Sequence, residues 1–204
     1  MKFIAAFLAA FFYVSLTQNL VLTGGYGASE AIRSAARPKQ IMLFSLMIAY
    51  FSTVTSLICR VVLFIPAFKN SNEIVSLAVY AAVLTLVYFV SVAILKVLLK
   101  SSDWSDLEQE KFLRQTAVAS FNTIVLAIPF ITEKATYTVY EAIAQGLGAG
   151  VAFLIATVFI HLGMRRLEDN TEIPMSFKGT PALFMYIAIL CLAFTGILGK
   201  SLFF

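Results

Sequence analysis

An all-α integral membrane protein of six transmembrane helices, arranged as two inverted three-helix repeats with interrupted first helices, is the fold class this sequence predicts. Three observations carry that expectation. The 204 residues are 60% hydrophobic and 13% charged, with a mean hydropathy of +0.90, whereas soluble domains carry about 25% charged and about 45–50% apolar residues. So much apolar surface cannot be hidden inside one water-soluble core of this size. Six stretches approach the ~20 apolar residues that cross a bilayer, and two of them are interrupted by polar residues at matching places in the two halves.

The first stretch is Phe3–Leu22, which can continue as a broken helix towards Ile32. Met1-Lys2 before Phe3–Val14 has the look of a signal peptide, but no small-x-small cleavage site precedes Gln18, so it reads as a retained membrane segment. The second is Ile41–Ile65, ending at Pro66, and the third is Ile74–Leu99. The fourth, Phe112–Ile131, contains Asn122 and Pro129. The fifth is Ala142–Met164 and the sixth Ala182–Leu202. Helices are expected throughout, because an open sheet edge has no hydrogen-bond partner in lipid.

Short connections separate these stretches. Arg33–Gln40 is a basic turn with Pro38, and Ala67–Glu73 is polar. Lys100–Lys111 reads as a surface turn, with Trp104 at the interface among Asp103, Asp106, Glu108 and Glu110. Thr132–Glu141 places Tyr137 and Tyr140 at headgroup depth, and Arg165–Pro181 is broken by Pro174 and Gly179. One membrane domain accounts for residues 1–204, with repeat halves of about 1–102 and 103–204.

Six spans put Lys2, Lys69, Lys134 and Lys200 on one face. The other face carries Arg33, Arg37, Lys39, Lys96, Lys100, Lys111, Arg114, Arg165, Arg166 and Lys178. The positive-inside rule then sets both termini outside and the basic loops in the cytoplasm. The net charge of +4 is explained by this asymmetry and points to membrane lipid, not nucleic acid.

Three spans per half mean that the second half enters the membrane from the opposite side, so the repeat is inverted. Its interruptions are Gln18–Ser29, which places two amides and three glycines in an apolar run, and Ser120–Leu126. Asn19, Gly27, Ser29, Asn122 and Thr123 are the candidate midplane site. Broken helices free backbone groups that must face protein, an ion or a ligand. Asn19 and Asn122 can also close the gaps themselves, as polar glue between helices, and both readings stand from the residues alone.

Other side chains carry less. Glu30 and Arg33 are spaced to pair along a helix, and His161 is expected to hydrogen-bond locally at a helix end. Gly146, Gly148 and Gly150 are expected to allow close helix packing. Cys59 and Cys191 are far apart inside apolar stretches and read as small buried hydrophobes. The sequence has no H-x-x-x-H, no Walker motif and no Ser/His/Asp set, so no catalytic constellation is assigned.

Asn19, Gly27 and Ser29, followed later by Asn122-Thr123, resemble the two helix breaks of the Rnf/Nqr family of membrane subunits. Gly150–Phe153, Met164–Leu167 and Ile173–Gly179 extend the resemblance, and the Pro-x-x-Phe-basic-Gly run is similar to the family's A-type member. The resemblance implies six helices in two inverted halves, inside an ion-translocating, redox-driven electron-transport complex of a bacterial-type plasma membrane. The partner it implies is a homologous membrane subunit, or else a second copy through self-association.

In that family each break carries a cysteine, and paired subunits share an iron–sulfur cluster. The resemblance sets those cysteines at Ser29 and Thr123 here, so no cofactor is expected on this chain's own residues. The alternative is a small-solute or ion transporter that uses the two breaks as its midplane site.

Overall fold

The computed structural model describes residues 2–62, 72–100, 105–134 and 138–197. Helix α1 (Lys2–Phe12) widens into a π-helical turn (Tyr13–Thr17) and is followed by the short α2 (Leu20–Gly24) and α3 (Ala28–Ala35). Then come α4 (Pro38–Val62), α5 (Glu73–Lys100), α6 (Asp106–Ser120) and α7 (Thr123–Lys134). The long α8 (Val139–Asp169) and then α9 (Thr180–Ile197) complete the order. Among the described residues, α4, α5 and α8 are long and apolar enough to cross a membrane, while Phe3–Thr17 and Thr180–Gly196 are shorter apolar helices.

Helix α8 is the hub, and its small residues are the cause. A Cβ on Gly146 would lie 2.5 Å from the Cα of Thr53, and one on Gly150 2.5 Å from the Cβ of Ala49. On the same helix, Gly148 would bring a Cβ within 2.9 Å of the Phe11 carbonyl on α1. Between membrane helices, where lipid is as apolar as leucine, such close backbone approach supplies the packing energy. Phe51, Ile48, Phe153 and Ile160 fill the buried core that results.

Helix α5 lies at the edge of this bundle. Ile74 is 82% and Val97 73% exposed, and Leu86 and Phe89 also face outward. An apolar helix with that much greasy surface needs a non-aqueous environment around it. On α4, Ser45 donates to the Ile41 carbonyl and Thr53 to that of Ala49, at 2.8 and 2.7 Å, whereas the buried hydroxyls of Ser52, Thr55 and Ser56 have no partner among the described residues.

Several boundaries differ from the sequence expectation. Helix α6 begins at Asp106, not Phe112, because Ser105 and Glu108 form a capping box: the Ser105 backbone N–H and hydroxyl both reach Glu108 Oε2, at 3.1 and 2.8 Å. Thr138 and Glu141 do the same for α8, which starts at Val139. That helix continues through Arg165 and Arg166 to Asp169, so the fifth connection begins only at Asn170. Pro38 is not in a turn but opens α4, where its missing N–H costs nothing.

His161 is also corrected. Its Nδ1 lies 2.7 Å from the Ala35 carbonyl, a residue 126 positions away at the end of α3. A carbonyl only accepts, so Nδ1 carries the proton, and the imidazole ties α8 to α3. Glu30 and Arg33 do pair as expected, at 3.7 Å. Pro66, most of the Ala67–Glu73 turn, Trp104, Tyr137 and residues 198–202 of the sixth stretch lie outside the described residues.

Candidate functional site

The first break is built on Asn19, which is fully buried. Its backbone is extended, and its Oδ1 accepts from the Val21 and Leu22 N–H groups at 3.2 and 3.3 Å, restarting the helix as α2. Its Nδ2 donates to Ala152 O at 3.0 Å, on α8, and to Ser15 O at 3.4 Å. The preceding turn is π-helical, with Gln18 N–H donating to Tyr13 O at 2.6 Å. One side chain therefore restarts a helix and fastens the break to the hub.

Helix α2 lasts only as far as Gly24. Gly25 takes a left-handed conformation, φ 69°, and Tyr26 N–H reaches back to Leu20 O at 3.0 Å. Gly27 is left-handed as well, φ 70°, and opens α3 with no side chain of its own to cap it. The stretch Gln18–Ser29 thus holds two breaks in succession, at Asn19 and at Gly25–Gly27, where the sequence suggested one.

The second break repeats the asparagine device. Asn122 Oδ1 accepts from Ile124 N–H at 3.1 Å, and its carbonyl accepts from Val125 N–H at 3.0 Å, restarting the chain as α7. Its Nδ2, on a side chain only 3% exposed, has no partner among the described residues. Exchanging O and N would set Nδ2 against the Ile124 N–H, so the amide orientation is fixed by that bond.

The two breaks meet. Gly27 N–H donates to Thr123 Oγ1 at 2.7 Å, across 96 residues of sequence. A Cβ at Gly27 would lie 2.5 Å from Asn122 Oδ1 and 2.9 Å from Ile124 Cδ1, so the approach requires glycine for space as well as for φ. Thr123 supplies the acceptor that α3 lacks at its own start.

Of the five candidate residues, Gly27, Asn122 and Thr123 form this joint. Asn19 instead faces α8, and Ser29 sits exposed on α3 with no side-chain hydrogen bond among the described residues. A cavity of about 570 Å³ flanks the joint, between Gly25 and Tyr26, Thr123 and Phe130, and Glu73 and Leu77 at the start of α5. Tyr26 and Glu73 were not legible as neighbours of Thr123, because nothing in the sequence says that the start of α5 reaches this break.

The family's iron–sulfur cluster can be tested against these residues. Thr123 Oγ1 is already engaged by Gly27 N–H, and Ser29 offers a second hydroxyl, not a thiolate. Cys59 is buried in α4 and Cys191 lies on α9, neither at a break. Clusters are held by Cys thiolates, so these residues do not fit one.

Comparison with known proteins bears on the scaffold. No family model matches the sequence. The A component of the ion-translocating oxidoreductase complex of Rhodobacter capsulatus is 33% identical over 78 residues, which is 38% of this chain and 40% of that protein. The component of the same description from Aromatoleum aromaticum is 30% identical over 78 residues, with the same shares. The chain is similar to these A components. That of the Na(+)-translocating ferredoxin:NAD(+) oxidoreductase complex of Acetobacterium woodii adds 28% identity over 81 residues, 40% of this chain and 42% of that protein. These matches span about two fifths of the relatives' length, and over that stretch they bear out the A-type resemblance.

Proposed function

We propose that the chain is a membrane subunit of an ion-translocating electron-transport assembly, one that keeps the A-type two-break scaffold and binds no iron–sulfur cluster with its own residues. The observation that carries this is the Gly27 N–H bond to Thr123 Oγ1. It joins the start of α3, the helix that follows the first broken stretch, to α7, which Asn122 restarts, and so brings the breaks of the two halves together. The matches to A-type relatives supply the class of assembly.

On this proposal α1 to α3 form the interrupted first span, α4 and α5 the next two, and α6–α7, α8 and α9 repeat them in the opposite sense. Residues 1–102 and 103–204 are then the two halves. Both termini lie outside a bacterial-type plasma membrane, and the loops rich in Lys and Arg lie in the cytoplasm. The partner is a homologous membrane subunit that packs over Thr123, Tyr26 and the exposed Ser29. Without thiolates at the joint, the chain's part is assembly of the complex and shaping of its ion path.

A second reading, a transporter for a small solute or ion, is favoured by the unpartnered Asn122 Nδ2 and by the 570 Å³ cavity beside Thr123. The two separate by purification. An affinity-tagged chain taken from its native membrane should bring electron-transport subunits with it. Recovery of the chain alone or only with itself, together with a substrate-induced thermal shift that Asn122→Ala removes, would replace the first reading by the second.

A further inference from the structure

Away from the joint, the end of α3, the first turns of α4 and the middle of α6 enclose a second concavity of about 460 Å³. Arg33, Arg37, Lys111 and Arg114 all line it, no carboxylate among the described residues does, and the amides of Gln40 and Gln115 add neutral donors. Arg33 is partly balanced by Glu30 at 3.7 Å, and Lys111 by the charge of Glu108. Arg37 and Arg114 have no ion-pair partner among the described residues. Like charges gathered in one hollow repel, and an anion with several acceptor oxygens relieves that repulsion while accepting their hydrogen bonds.

A second feature says which anion. An apolar groove of about 360 Å³ lies on α4 and α6, which also line this pocket, and reaches α5. Its residues adjoin the basic ones in sequence: Leu43 precedes Phe44 of the basic pocket, and Phe112 follows Lys111. A cationic hollow next to a greasy groove, at the ends of apolar helices, matches an amphiphile with a phosphate head.

We propose that this pair of cavities binds an anionic phospholipid, with Arg37 and Arg114 on the phosphate and an acyl chain along the α4–α6 groove. The site is independent of the break joint and of the proposed redox assembly. It makes the basic face a specific lipid contact in addition to an orientation signal.

The test uses the full chain in lipid nanodiscs containing either phosphatidylcholine alone or phosphatidylcholine with phosphatidylglycerol, and in detergent with inorganic phosphate. Phosphatidylglycerol should raise the unfolding midpoint by several degrees over phosphatidylcholine, and native mass spectrometry should show it retained. At roughly 1 kcal/mol per basic residue near the surface, each of Arg37→Gln and Arg114→Gln should weaken lipid retention about fivefold. Arg166→Gln, at the far end of α8 and outside the pocket, should leave retention unchanged. Equal behaviour in both lipids, or equal loss with Arg166→Gln, would overturn the site. An equal shift with inorganic phosphate alone would overturn the lipid as its occupant. If the glutamine variants fail to fold, retention by the unaltered chain still decides between the two lipids, and Arg37→Lys with Arg114→Lys should keep most of it.

Discussion

The backbone N–H of Gly27 donates to Thr123 Oγ1 at 2.7 Å, binding the start of α3 to the start of α7. Both helices begin at a polar break, and each needs something the other supplies: α3 an acceptor for an orphan N–H, and α7 a neighbour slim enough to leave Asn122 in place.

Gly27→Ala should therefore be far worse than Gly25→Ala. Both glycines are left-handed, which costs an alanine about 1–2 kcal/mol. Only at Gly27 does the added methyl meet Asn122 Oδ1 and Ile124, adding about 1–3 kcal/mol of overpacking. Unfolding in detergent measures the difference, and equal losses for the two variants would show that the joint is looser than the 2.5 Å approach to Asn122 Oδ1 implies.

The two asparagines should respond unequally to alanine. Each restarts a helix, a device worth about 0.5–2 kcal/mol. Asn19 also donates to Ala152 O on α8, worth a further ~0.5–1.5 kcal/mol, whereas Asn122 Nδ2 has no such bond to lose. Asn19→Ala should therefore unfold at a lower temperature than Asn122→Ala, and equal midpoints would count against the bond to α8.

Glycines on the hub test the packing. Gly146→Ala drives a methyl into the Thr53 backbone and should cost about 1–3 kcal/mol, or separate α8 from α4. Gly196→Ala meets nothing within 4 Å and should be neutral or gain up to about 1 kcal/mol from helix propensity. Unfolding of both variants under one condition makes the comparison.

Glu108 gives a pH-dependent test outside the membrane. Hydrogen bonds from the Ser105 hydroxyl and backbone N–H hold its carboxyl below the usual range. A depressed carboxylate contributes stability above its unfolded pKa and loses it as the pH falls through the folded value. The stability gap between the native chain and Ser105→Ala should be full near neutrality and narrow on acidification. A gap that widens in acid would contradict the capping role.

Much of this was legible in the residues. Glu73–Lys100 lies within a residue of the expected Ile74–Leu99 at each end, because apolar length alone fixes such a helix. Asn19 and Asn122 were legible as breaks because an asparagine before an aliphatic run offers a cap where a spanning helix needs none. The capping boxes at Ser105 and Thr138 were equally written there, as S-D-L-E and T-V-Y-E, and the acidic surroundings masked the first of them. Contacts across the chain were not legible. His161 reaching Ala35, Glu73 lining the cavity beside Thr123, and Arg37 sharing a hollow with Arg114 all depend on how helices cross. Local pattern does not encode that. Ser29 illustrates the same limit: it is exposed on α3, and its spacing in the sequence does not say which of its neighbours it meets.

The measurement closest to the central claim is iron content with low-temperature electron paramagnetic resonance on the assembly purified through this chain, compared between the native sequence and Ser29→Ala with Thr123→Ala. Any iron–sulfur signal is expected to come from other subunits, so that the signal per assembled complex is the same in both. An iron–sulfur signal that vanishes with those two hydroxyls, while the complex stays assembled, would contradict it.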